Sequence, residues 1–296
     1  MTEEHQPTGL DRIDWDAGRR AFIRGCGLAA AGAAVLGVVR PGEARAADNI
    51  DLDVLNFALN LEYLEAEFYL RATTGQGLSD ADIDGKGNQG PVVGGKKVKF
   101  DTKAVRLYAE EIAADEKAHV LFLRAGLGDA RVARPKINLK ASFTAAAQAA
   151  GLITAGQEFD AFANETNFLL ASYIFEDVGV TAYKGAAPLL TDKGLLEAAA
   201  GILGVEAYHA GIIRTLLYSR GLFTEARAIS NARDSLDGDS DLDQGIGNKD
   251  KANLVPTDDN GIAFSRSVPQ VKNIVYLSPD GAKGGFFPNG INGAFA

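Results

Sequence analysis

Glu116-Lys117-Ala118-His119 and Glu206-Ala207-Tyr208-His209 hold the last two of only three histidines in the chain. On a helix a spacing of three places both side chains on one face, where a single ion could take both. The flanking sequence is helical in period. Over residues 102–125, Val105, Tyr108, Ile112, Glu116, His119 and Leu123 share a face; over 195–219, Leu195, Ile202, Glu206, His209, Ile213 and Leu216 do. Two histidines each following a glutamate by three is a chance event of about 1 in 400 at average usage. The mid-helix, apolar-face placement lowers it further.

Two further segments carry one glutamate each on an otherwise apolar face. In 51–73 the face is Leu52, Leu55, Leu59, Glu62, Ala66 and Tyr69; in 158–184 it is Phe162, Leu169, Tyr173, Glu176, Val180 and Tyr183. Four helices of this length are bundle-like. Burying an unpaired carboxylate costs several kcal/mol, and no Lys or Arg lies on these faces to offset four of them. Two divalent metal ions would, with two neutral imidazoles completing the donor set. The residues thus predict a dinuclear site on Glu62, Glu116, His119, Glu176, Glu206 and His209.

The connections fit an all-α bundle. Residues 74–101 form a Gly-rich loop over one end. Residues 126–157 form the long crossover, with a short helix at 141–150, and 185–194 a turn. The predicted organisation is a leader at 1–46, a bundle at 47–221 and a largely irregular extension at 222–296, with short helices near 225–235 and 269–277. Segments 274–277 and 285–290 are too apolar for a free tail, so the extension packs on the bundle or on a neighbouring subunit.

The leader reading rests on Arg19-Arg20-Ala21-Phe22-Ile23-Arg24, an apolar run to Val39, and Ala44-Arg45-Ala46 as a cleavage site. The run is too short to span a bilayer comfortably. This predicts twin-arginine export of an already folded protein to a periplasm or cell envelope, with no membrane insertion after cleavage. Cleavage would remove the single Cys, Met and Trp, leaving no disulfide and no sulfur to oxidise.

The chain has 296 residues, 46% hydrophobic and 23% charged, with net charge −9. Such a surface argues against nucleic acid or anionic lipid as partner. With both histidines outside residues 1–46 committed to the site, no Ser–His–Asp or Cys–His arrangement remains. Gly94-Gly95-Lys96-Lys97 lacks the spacing of a phosphate loop. Asp80-Ala81-Asp82-Ile83-Asp84-Gly85 begins like a calcium loop but has Pro91 where the bidentate Glu belongs. Asp237 to Asp243 alternates acids without the glycine. Both read as solvated turns.

The set of six residues resembles the ferritin-like superfamily of di-iron and di-manganese carboxylate bundles: one Glu from each of two helices and Glu-x-x-His from each of the other two. Within it the chain is most similar to exported, desiccation-related ferritin-like proteins, on residues 55–69, Gly179-Val180-Thr181-Ala182-Tyr183 and Gly285-Phe286-Phe287-Pro288-Asn289-Gly290. The resemblance implies a ferritin-like four-helix bundle with two Fe, two Mn or a mixed pair. It implies O2 or peroxide as substrate, in ferroxidase, oxidase or catalase-like turnover protecting against stress. Tyr69, seven residues after Glu62, stands where ferritins carry a tyrosine near the metals and is the candidate catalytic side chain. Glu116 and Glu206 are candidates for a shared carboxylate. Glu65 and Glu165 are possible additional ligands, with Arg71 the alternative partner of Glu65. Tyr108, Tyr173 and Tyr183 either join the site or fill the core. The long first loop and the extension depart from cage-forming ferritins, implying a homo-oligomer other than a 24-subunit cage. The alternative is a non-enzymatic, metal-stabilised scaffold or binding protein of the envelope.

Overall fold

The computed structural model describes residues 41–296, with side chains from Ile50 onward. The leader expected over 1–46 therefore lies mostly outside the described residues. Seven helices follow among the described residues: α1 (Pro41–Thr74), α2 (Lys103–Leu127), α3 (Ala141–Ala149), α4 (Glu165–Ala186), α5 (Lys193–Ser219), α6 (Phe223–Asp237) and α7 (Val268–Tyr276). Helices α1, α2, α4 and α5 form the bundle. The closest pairs are α1 with α2 and α4 with α5; α1 also faces α4, and α2 faces α5.

Helix ends follow local chemistry. Asp192 caps α5, its carboxylate accepting the N–H groups of Gly194 (2.7 Å) and Leu195 (2.9 Å), an arrangement that contributes about 1 kcal/mol. Helix α4 starts at Glu165, seven residues later than its periodicity suggests. Asn164 is extended (φ −160°) and its side chain accepts from Asn167 N–H. Phe162, which carried the apolar pattern across this boundary, is buried from a turn in which Asp160 accepts its N–H at 2.9 Å. Helix α5 is long and apolar enough to cross a membrane by length and composition. Its Glu206, His209 and Arg214 are instead buried in the bundle.

An aromatic cluster fixes the middle of the core. Phe68 of α1 lies 5.4 Å from Phe143, Phe162 and Phe168 and 5.5 Å from Phe175. Phe286 of the extension joins it, 4.9 Å from Phe175 and 5.1 Å from Phe143. Pairs of this kind contribute roughly 0.5–1.5 kcal/mol beyond their buried area. Asn292 exchanges two hydrogen bonds with Asn60 of α1 (2.9 and 3.0 Å). The extension thus packs on its own bundle.

The Gly-rich loop lies along the crossover. β1 (Val92–Val93) pairs in parallel with β2 (Ile137–Asn138). Gly85, at φ +150°, passes so close to residues 131–133 that a Cβ there would lie 2.5 Å from the Val132 carbonyl carbon, so only glycine fits. A small antiparallel pair, β3 (Gly247–Asn248) and β4 (Lys251–Ala252), turns the extension back.

Arginines hold the ends of both acidic runs. Asp84 pairs with Arg124 and Arg131, and no calcium loop forms there. Asp237 and Asp243 are buried rather than solvated. Arg266 binds Asp237 (2.6 Å) and Asp243 (2.9 Å); Arg233 binds Asp243 (2.7 Å) and Asp177 (3.0 Å); Arg214 binds Asp177 (2.7 Å). Three cations and three anions, all buried, fasten α6 and the segment after it to the outer face of α4. The pattern of a solvated turn failed because the cations of Asp237 and Asp243 lie 10 to 29 residues away in sequence.

Candidate metal centre

The bundle brings all six core candidates to one place. Glu62, Glu116, His119 and Glu206 offer donor atoms within 4.8 Å of one another, and so do Glu116, Glu176 and His209. All are buried. Of the two candidates for a shared carboxylate, Glu116 belongs to both groups and Glu206 to one. His119 Nδ1 lies 3.2 Å from Glu62 Oε2, 3.5 Å from Glu116 Oε2 and 3.8 Å from Glu206 Oε1. His209 Nδ1 lies 3.0 Å from Glu116 Oε1 and 3.6 Å from Glu176 Oε2.

Two tyrosines brace the single glutamates crosswise. Tyr69 of α1 donates to Glu176 of α4, and Tyr183 of α4 donates to Glu62 of α1. Each tyrosine follows its own helix's glutamate by seven residues, so the halves α1–α2 and α4–α5 are related by an approximate two-fold. Tyr69, the candidate catalytic side chain, thus meets the cluster through the Glu176 carboxylate. Tyr173 instead bonds the Gln244 carbonyl (3.0 Å) beneath Arg233, and Tyr108 is half exposed.

The two-fold is broken one turn on. Three residues after Glu62 stands Glu65; three after Glu176 stands Gly179. A Cβ at Gly179 would lie 2.0 Å from Glu206 Oε2. The missing side chain is the space the Glu206 carboxylate occupies. Glu65 is buried beside the cluster, in neither donor group, and its carboxyl is pushed well up by burial and by repulsion from Glu116, Glu62 and Glu176. Arg71 pairs with Glu67 rather than with Glu65. Glu165 does not join the site. It accepts the N–H groups of Asp101 (3.0 Å) and Thr102 (2.8 Å) at the start of α2 and pairs with Arg220, because at the first turn of α4 it is about three turns from Glu176.

The charges explain what the site lacks. Burial pushes Glu62 up to about 7, against the pull of His119, and Glu176 up to about 8, against that of His209. Burial and repulsion from Glu65 and Glu116 push Glu206 well above the carboxylate range. Glu116 alone goes down, to about 2, because the two imidazoles beside it outweigh its burial. Burial also opposes charge on the histidines, but Glu62 and Glu116 outweigh it and raise His119 to about 11, and Glu116 and Glu176 raise His209 to about 9. Among the described residues, ten buried side-chain polar atoms have no hydrogen-bond partner; six are the Oε atoms of Glu116 and Glu206, Glu176 Oε2 and His209 Nδ1. Orphaned acceptors converging in one place are what a bound cation would satisfy.

Two contributors lie outside the six-residue pattern. Asp115 Oδ2 lies 3.1 Å from His209 Nε2, fixing the ring so that Nδ1 faces Glu116 and Glu176, as outer carboxylates do for metal-bound histidines. Its place directly before Glu116 was the available signal. Gly179 was visible only as part of a resemblance.

A family model described as the ferritin-like domain matches residues 50–219, which span the four helices that carry these donors. The chain belongs to the ferritin-like family. This ferritin-like chain is 34% identical over 239 residues to the desiccation-related protein PCC13-62 of Craterostigma plantagineum, covering 73% of this chain and 74% of that one. It is 29% identical over 269 residues to the ferritin-like catalase Nec2 of Nesocodon mauritianus, covering 84% of this chain and 86% of that one. No solved structure matches the chain.

Proposed function

We propose that this ferritin-like protein holds two iron or manganese ions and turns over O2 or peroxide, in protection against oxidative or drying stress. The observation that carries the reading is the convergence of two histidines and four carboxylates, in which both oxygens of Glu116 and of Glu206 and one of Glu176 are buried without a hydrogen-bond partner. Carboxylate-rich sites with imidazole accept both Fe and Mn. Glu62, Glu116, His119 and Glu206 would hold one ion, and Glu116, Glu176 and His209 the other, with Glu116 between them. Bound ions would supply the redox electrons. The chain's own part is to keep the donors fixed: Tyr69 and Tyr183 hold Glu176 and Glu62, and Asp115 holds the His209 ring. The name of the catalase relative favours peroxide. The leader argues that the protein works in a periplasm or envelope after twin-arginine export.

Elemental analysis of natively purified protein, with anomalous scattering at the site, tests the metals. O2 release from peroxide and the rate of Fe(II) oxidation test the turnover. Glu116→Ala and His209→Ala should each lose metal; unchanged metal content in both refutes the site. The second reading, a metal-stabilised scaffold, is favoured by the desiccation-related relative. It predicts full metal content with neither activity.

A further inference from the structure

Behind the cluster, on the α1–α4 side, lies a cavity of about 20 Å³. Leu61, Leu64 and Glu65 line it from α1, Ile174, Phe175, Val178 and Gly179 from α4, Ile274 and Val275 from α7, and Phe286 closes it. Every one of these residues is buried. Glu65 and Gly179 are the pair that breaks the two-fold, so the cavity sits where the halves meet. Its wall at Gly179 is the backbone against which the Glu206 carboxylate rests. The cavity therefore adjoins the donors of the site, within a lining of buried residues.

The volume suits one or two water-sized molecules, but the lining does not suit water. A buried water needs two to four polar partners. Here Glu65 is the only polar side chain, among eight apolar side chains and a glycine. The backbone amides and carbonyls of the lining helices are taken up in their own helical bonds, and Val275 O accepts Phe286 N–H at 2.9 Å. A site of this size with apolar walls favours a small apolar molecule, since apolar cavities stay dry and take up such guests. Three of the ten lining residues come from the extension, which gives that segment a role beyond fastening.

We propose that this cavity is a dioxygen-holding pocket adjoining the carboxylate–histidine cluster, roofed by α7 and Phe286 of the extension. The proposal rests on the redox reading for its purpose, and on the cavity alone for its existence. Dioxygen is either the oxidant of Fe(II) or the product when two peroxide molecules give one O2 and two waters. Hydrogen peroxide itself, with two donors and four acceptor lone pairs, would find one polar side chain in the pocket, so it must approach the cluster from elsewhere.

The test uses xenon as probe on crystals of the metal-loaded protein, and the double variant Val178→Ile/Val275→Ile, which fills the cavity with two added carbons. Xenon should appear between Leu64, Ile174, Val178, Ile274 and Phe286 in the wild type and be absent from the variant. The single Val178→Ile variant serves if the double one does not fold. With metal content unchanged, the filled variant should show an apparent KM for O2 in Fe(II) oxidation raised about ten-fold, which assigns the gas as substrate. Slowed peroxide turnover at saturating peroxide, with Fe(II) oxidation unaltered, assigns it as product. An empty wild-type cavity under xenon overturns the proposal. So does a filled variant that matches the wild type in both assays. Xenon bound in a protein inert in both assays refutes the redox reading and upholds the gas site.

Discussion

Gly179→Ala is a one-carbon perturbation aimed at one ligand. The added Cβ would lie 2.0 Å from Glu206 Oε2 and 2.9 Å from its Cδ, against an ordinary contact of about 3.5–4.0 Å. The carboxylate must retreat by well over 1 Å, in a bundle where Glu206 is fully buried. Overpacking of this kind costs about 1–3 kcal/mol. Replacing a mid-helix glycine by alanine returns roughly 0.8–1 kcal/mol. Moving one carboxylate away from Glu65 and Glu116 also relieves repulsion that pushes it up. The metal-free variant should therefore be destabilised by no more than about 2 kcal/mol. Its metal affinity should suffer far more, because the group that contains Glu206 also contains Glu62 and His119. Loss of one ion of two, or a drop of at least ~10–100-fold in affinity for one, is expected, by comparison with the smaller effect of outer partners. Metal stoichiometry by elemental analysis and a competitive titration read this directly. Calorimetry of the metal-free protein supplies the folding control. In Gly179→Ala/Glu206→Ala the two changes should be strongly non-additive, since the second removes what the first collides with. A Gly179→Ala protein that binds two ions with wild-type affinity would refute the reasoning.

Asp115→Ala should weaken binding of the ion held by His209 by about 10–100-fold. Because Asp115 is 43% exposed, the metal-free melting temperature should barely move; equal weakening of both ions would count against its role. Stability against pH should differ between metal-free and loaded protein. Glu62 and Glu176 are raised to about 7 and 8, and His209 and His119 to about 9 and 11. Each is above its unfolded value, so each contribution is full below the unfolded value and is lost as pH rises from there to the folded one. The metal-free protein should lose melting temperature from pH 5 to 8.5, while ions replace the lost protons in the loaded form and widen the gap; parallel curves would contradict this. Arg266→Ala leaves Asp237 and Asp243 buried without that partner, which should cost about 3–5 kcal/mol, and limited proteolysis should then cut the extension before the bundle.

The four bundle helices and the six central donors were legible in the sequence because a helix repeats every 3.6 residues. A glutamate or histidine on an apolar stripe is therefore visible without any knowledge of the neighbouring helix. The short helices near 141–150, 225–235 and 269–277 were legible for the same reason, and each appears within two residues of its expected ends. The start of α4 was not, because Phe162 is buried from a turn as well as it would be from a helix. What the sequence by itself could not determine is which of the six side chains lie closest together, that Glu165 caps α2 rather than joining the site, and that Asp237 and Asp243 answer arginines on α6 and the segment before α7. It also could not show that Glu206 needs a glycine opposite it, or that the extension closes a cavity beside the cluster. These depend on distances between helices. Periodicity fixes which face a side chain takes, but only the packed bundle decides what meets it there.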